Sequence, residues 1–191
     1  MRSLASSGIR LKVEAQAAHI AAGAAVATIL LLASLHVLSP EFAPSWRMVS
    51  EYAFGQYGWV LSVFDVTHDT GHSIAGLLGV GGFPIAALLL SVGLGQAEEW
   101  RGARKMLLWI ANLSWISVVL LVATLVLMTT QLTPANGGHL PQHAPKSLPP
   151  GVFGLDGWAN RLVVLSGCLW VFVAAWQAIK LRRKHVSQLS V

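Results

Sequence analysis

Long apolar runs alternate along the chain with segments where charge, Pro and Gly return. Four such runs stand out, at residues 19–38, 73–92, 106–129 and 161–179, and only Arg161, opening the last, carries a full charge. A hydrocarbon core about 30 Å thick is crossed by roughly 20 apolar residues in a helix rising about 1.5 Å per residue. Each run therefore predicts a spanning helix, and the pattern as a whole predicts an all-α, integral membrane four-helix bundle.

The first run follows Arg2, Arg10 and Lys12, as the apolar region of a signal peptide would. It exceeds the 7–15 apolar residues usual there and has no small-x-small cleavage site, so an uncleaved helix is expected. In the second run Gly76, Gly79, Gly81 and Gly82 precede Pro84. Small residues let helices approach closely, and a proline inside the run predicts a kink near Pro84. Trp100, Trp109, Trp158 and Trp176 fall near predicted helix ends, where indole favours the water–lipid boundary.

The connections differ in character. Residues 39–72 hold one apolar patch, 59–64, too short to span and expected to lie at the interface or form a partial helix. Residues 131–157 hold five of the eight prolines, namely Pro134, Pro141, Pro145, Pro149 and Pro150. No helical or strand period survives there, so an extended Pro/Gly-rich loop is predicted.

Composition and charge sharpen this picture. Of the 191 residues 54% are hydrophobic and 11% charged, against about 45–50% and about 25% in soluble domains. The formal charge of +5 would suit nucleic acid, but no basic face or recognition motif is present, and that partner class is set aside. The basic residues instead flank the runs: Arg2, Arg10 and Lys12; Arg101, Arg104 and Lys105; and Lys180, Arg182, Arg183 and Lys184. Four spans place these three groups on one side, as the positive-inside rule requires. Both termini are thus expected in the cytoplasm, with the protein in the plasma (inner) membrane and residues 39–72 and 131–157 outside. Cys168, the one cysteine, reads as a small packing residue.

The stretch Val49-Ser50-Glu51-Tyr52-Ala53-Phe54-Gly55-Gln56-Tyr57-Gly58-Trp59 resembles the signature of a prokaryotic membrane family called "domain of unknown function 998". Ser50, Glu51, Tyr52, Gly55, Tyr57, Gly58 and Trp59 carry the resemblance. Leu38-Ser39-Pro40 with Pro44 is similar to the family's linker into that signature, and Val63-Phe64-Asp65-Val66-Thr67 to a later turn. His72 with Pro84, and Asn160-Arg161 with Trp170, resemble features of its later helices. Members carry more apolar sequence between the signature and the turn, so the resemblance implies a shortened relative. It implies no activity.

The outer segments gather the polar chemistry: Glu41, Glu51, Asp65, His68, Asp69, His72, His139, His143 and Asp156, with His36 at the end of the first run. His68 and His72 share a face if helical. The string His68-Asp69-Thr70-Gly71-His72 approximates a zinc-protease pattern, but Asp is shorter than the Glu that chemistry uses, and Gly71 weakens the helix. Asp69 or Thr70 serves as well as a helix N-cap. A divalent metal could take Asp65, His68, His72 and either His139 or His143 in a tetrahedral set. Haem b could be held between His36 and His72. Simple solvated histidines at the interface remain the plainest account, with no cofactor. Glu51 is placed to pair with Arg47, and Tyr52, Tyr57 and Trp59 read as interface anchors.

Ionisable groups are nearly absent from the middle of the runs, which argues against a pump or ion carrier. The sequence favours a non-enzymatic interaction or accessory protein, in contact with lipid and with other membrane proteins or a second copy of itself. A metal- or haem-binding redox protein using the outer histidines is the alternative. A membrane-surface enzyme built on Asp65, His68 and His72 is the third reading.

Overall fold

The computed structural model describes residues 2–57, 70–135, 137–139 and 147–189, with the side chains of 1–15, 53–54, 70–79, 135, 185 and 189 left aside. The described residues are about 80% helix, and no strand occurs among them. Helix α1 covers Arg2–Leu38, α2 Thr70–Leu94, α3 Arg101–Ala135 and α4 Asp156–Leu189. Two 3-10 turns, Val49–Phe54 and Glu98–Trp100, lie in the connections. Three stretches are long and apolar enough to cross a membrane: Gln16–Leu38, Glu98–Pro134 and Asp156–Gln188. Within α2 the stretch Val80–Leu94 is the apolar part among residues whose side chains are described.

The helices outrun the apolar segments that announced them. Polar ends remain helical because each interior backbone bond is made within the helix itself, in lipid or out of it. At the end of α3, residues 131–135 are helix, where the sequence suggested loop. Pro134 lies in the final turn and removes a single backbone donor. Thr129, Thr130 and Thr133 bond back to the carbonyls of Val126, Leu127 and Thr129. Gly137 and Gly138, at φ +66° and +88°, then reverse the chain, and the Gly138 N–H reaches Thr133 O at 2.8 Å. This closes the helix with the long bond of a Schellman end. Pro84 sits buried within α2.

In order of contact the helices run α1, α4, α3, α2, with α4 packed along both α1 and α3. Each seam follows helical spacing. On α3 the buried positions are Ala103, Leu107, Ile110, Ala111, Ser114, Ser117, Leu121 and Leu132. On α1 they are Ala18, Ala25, Leu32 and Leu35, the first three at the seven-residue interval of a supercoiled seam.

Polar ties cross the interior. The Trp170 indole N–H donates to Ser91 Oγ at 2.9 Å, and Ser91 donates in turn to Ala87 O at 2.6 Å. This joins α4 to α2. The Ser117 and Ser166 hydroxyls approach to 3.4 Å, between α3 and α4. Phe83 packs edge-on against Trp170, with ring centroids 6.1 Å apart. Of the Trp residues foreseen near helix ends, Trp109, Trp158 and Trp176 present their rings outward, at 76%, 54% and 56% exposure, whereas Trp100 is half-buried against the core cluster around Leu107.

Candidate functional site

The connection after α1 builds the most polar region of the described structure. Leu35 O takes the last helical bond from Ser39 N–H at 2.9 Å, and Pro40 and Pro44 prevent α1 from continuing. The chain folds through short turns, with Arg47 N–H bonded to Ala43 O and Glu51 N–H to Met48 O. It thereby lies across the first turn of α4. Trp158 N–H, one of the donors that a helix start leaves without an internal partner, donates to Ser45 O at 3.2 Å. Val49 N–H donates to Asn160 Oδ1 at 3.0 Å.

Glycine makes this closeness possible. A Cβ on Gly157 would fall 2.5 Å from Pro44 O, 2.7 Å from Arg47 O and 2.8 Å from Trp46 N. Gly154 is similarly pressed against Trp46 and Leu148.

Arg161 stands at the centre, 3% exposed. Its Nε donates to His36 Nε2 at 2.6 Å, its Nη1 to Arg47 O and Gly157 O at 2.8 Å each, and its Nη2 to Tyr52 OH at 2.9 Å. Tyr52 OH donates onward to Phe42 O at 3.3 Å. His36 Nε2 faces a guanidinium N–H and must accept, which leaves the proton on Nδ1, bonded to Leu32 O at 2.6 Å. Four of the five guanidinium donors are thus spent on α1, the 3-10 turn, the Arg47 backbone and α4 itself.

Further charge lies alongside. Arg47 Nη1 pairs with Glu51 Oε2 at 2.7 Å and stacks 4.2 Å from the Trp46 ring centroid. Asp156, opening α4, is 1% exposed, within electrostatic reach of Glu51 and Arg161, and its Oδ1 accepts no hydrogen bond. The cluster therefore holds two cations and two carboxyl groups. Beside it, between α1 and α4, a cavity of about 460 Å³ opens, lined with leucines and by His36, Trp158 and Arg161.

The sequence candidates distribute as follows. His36 is half-buried with both ring nitrogens engaged, so an axial haem bond would displace one of these partners. His72 lies on α2, its side chain outside the description. Asp65, His68 and His143 lie outside the described residues, as do Gly58 and Trp59. His139 is exposed in the turn after α3. Among the described residues no three His, Cys, Asp or Glu side chains gather to hold a metal ion.

Of the signature residues, Ser50 is exposed, Glu51 binds Arg47 as anticipated, and Tyr57 packs beside Leu35 and Tyr52. Gly55 lies under Phe42, 2.8 Å from where its Cβ would be. Tyr52 is not an interface anchor. It is 0% exposed, because its hydroxyl is held by Arg161 and its ring lies 5.0 Å from Phe42.

Arg161 itself read as a charge at the border of the fourth run. The helix begins at Asp156, five residues earlier, so Arg161 lies in its second turn and faces inward. The signal available was a charge beginning an apolar run just after Asn160, with a lone His closing another run. The chain matches no family model, no curated protein and no solved structure.

Proposed function

We propose that the chain is a non-enzymatic accessory protein of the plasma (inner) membrane that associates through α2 with another membrane protein or a second copy of itself. In this reading it is a four-span bundle with both termini cytoplasmic, a shortened member of the prokaryotic family that residues 49–59 resemble. Its working surroundings are lipid, with no resident cofactor.

The observation that carries the association is the outer face of α2. Pro84, Ala87 and Ser91 are buried, while Gly82, Ile85, Leu89 and Val92, at helical spacing, face outward. A Cβ on Gly81 or Gly82 would meet nothing within 4 Å. Glycine costs a helix about 0.8–1 kcal/mol relative to alanine. Among the described residues no close contact offsets that cost at either position. Close approach of another helix would.

Two further features support the reading. The Arg161 donors and both His36 nitrogens are committed to internal bonds, the behaviour of a clamp more than of a reactive group. Orientation draws support from clefts that bring basic segments together. His19 shares one with Arg182 and Arg183, and Lys184 shares another with Glu98 and Glu99.

The test is oxidative crosslinking in native membranes of Leu89→Cys in a Cys168→Ala background. A crosslinked band is expected, and it should be lost when Gly82→Leu is added. A chain that stays uncrosslinked at Leu89 and at a second outward site, Ile85→Cys, would remove self-association through α2, and absence of any co-purifying membrane protein lost on Gly82→Leu would remove association with another protein.

A further inference from the structure

Opposite the Arg161 cluster, α1 and α4 part to leave a cleft of about 330 Å³ lined by His19, Ile179, Arg182, Arg183, Val186 and Ser187. Its floor is apolar, because Ala18, Ala175 and Ile179 form a buried cluster there. Arg182 lies three residues beyond Ile179, about 4.5 Å along the axis at 1.5 Å per residue. Arg182 and Arg183 therefore follow the last buried apolar layer within about one helical turn.

Among the described residues their charge has no local counter-charge. Arg47 has Glu51. Arg182 and Arg183, in contrast, form no hydrogen bond or ion pair with any described side chain, and no described carboxylate lines the cleft. Glu98 and Glu99 line a separate cleft with Lys184. A guanidinium fork matches phosphate oxygens in two-point geometry, which a lysine ammonium does not.

We infer that this cleft seats the phosphate headgroup of an anionic phospholipid, held by Arg182 and Arg183. The glycerol end rests on Ile179, and the acyl chains continue along the α1–α4 seam into the bilayer. Basic pockets between helices at a leaflet surface are suited to such headgroups. If the termini are cytoplasmic, the lipid comes from the cytoplasmic leaflet; the binding itself does not depend on that orientation, nor on association through α2.

The test uses the full chain purified in uncharged detergent, titrated with phosphatidylglycerol or phosphatidylcholine and read by native mass spectrometry. Each arginine is expected to contribute about fivefold to affinity, so phosphatidylglycerol should bind at least tenfold tighter. Arg182→Gln with Arg183→Gln should abolish that preference. Lys180→Gln with Lys184→Gln, an equal loss of charge on the same helix, should preserve it within about twofold. Equal losses in the two double variants would show a diffuse charge effect and overturn the site. Absence of any preference in the unmodified protein would do the same without a variant.

Discussion

Arg161 Nε donates to His36 Nε2 across 2.6 Å, joining the last helix to the first over 125 residues of chain. The contact fixes the histidine tautomer and ties α1 to the start of α4. His36→Phe keeps the ring volume and removes the acceptor. A hydrogen bond to a charged group contributes about 1.5–3 kcal/mol, and a loss in that range is expected in reversible unfolding in detergent. An unchanged midpoint would mean that the bond contributes nothing to stability.

Removal of the cation has a larger consequence. Arg161→Met leaves His36, Tyr52 and two carbonyls without their donor, and leaves Asp156 buried near one fewer positive charge. Breaking a buried charged network typically costs about 3–5 kcal/mol. Arg161→Lys should restore only part of this, since one ammonium cannot reach partners arranged around a planar fork. Thermal unfolding of the three proteins side by side orders them.

Gly157→Ala should destabilise by about 1–3 kcal/mol, in the range of overpacking. The atoms its Cβ would meet, Pro44 O, Arg47 O and Trp46 N, are all backbone and cannot rotate away. Gly102→Ala makes the opposite control. It lies in α3 with nothing within 4 Å of the new atom, and should stabilise by about 0.4–1 kcal/mol.

Ser91→Ala leaves the Trp170 indole N–H buried without its partner. A double-mutant cycle with Trp170→Phe isolates the tie between α2 and α4. Interhelical hydrogen bonds in membranes average about 0.6 kcal/mol and reach about 1.7, and the coupling should fall within that span. A coupling of zero would show that α2 is held by packing alone.

Purified protein should show no Soret band when oxidised or dithionite-reduced, because His36 is already bonded at both nitrogens. Elemental analysis of the same sample tests the separate metal reading through Asp65, His68, His72 and His143. Stoichiometric metal lost on His68→Ala with His72→Ala would establish that reading.

The helical class was legible because lipid imposes a length and a composition on any segment that crosses it, and 19–38, 106–129 and 161–179 met both. Helix ends were not. Residues 156–160 are held helical by Ser45 and Val49 of a distant segment, which no local pattern announces. The Arg47–Glu51 pair was readable from its spacing of four. The contacts of His36, Tyr52 and Arg161 were not, since a buried polar residue at a helix end repeats at no period. Tyr52 illustrates the error: tyrosine near a membrane surface ordinarily keeps its hydroxyl in water, and here a guanidinium takes the place of water.

The partners of Arg161 also have an order in time. Chains are made from the N-terminus, so His36, the Arg47 carbonyl and Tyr52 all leave the ribosome more than a hundred residues before the arginine that joins them. Until α4 arrives, the guanidinium that all three share has not been made. Synthesis of the second turn of α4 is therefore the event that supplies the centre of this cluster, and a chain stopped short of residue 161 lacks the group around which its earlier parts are arranged.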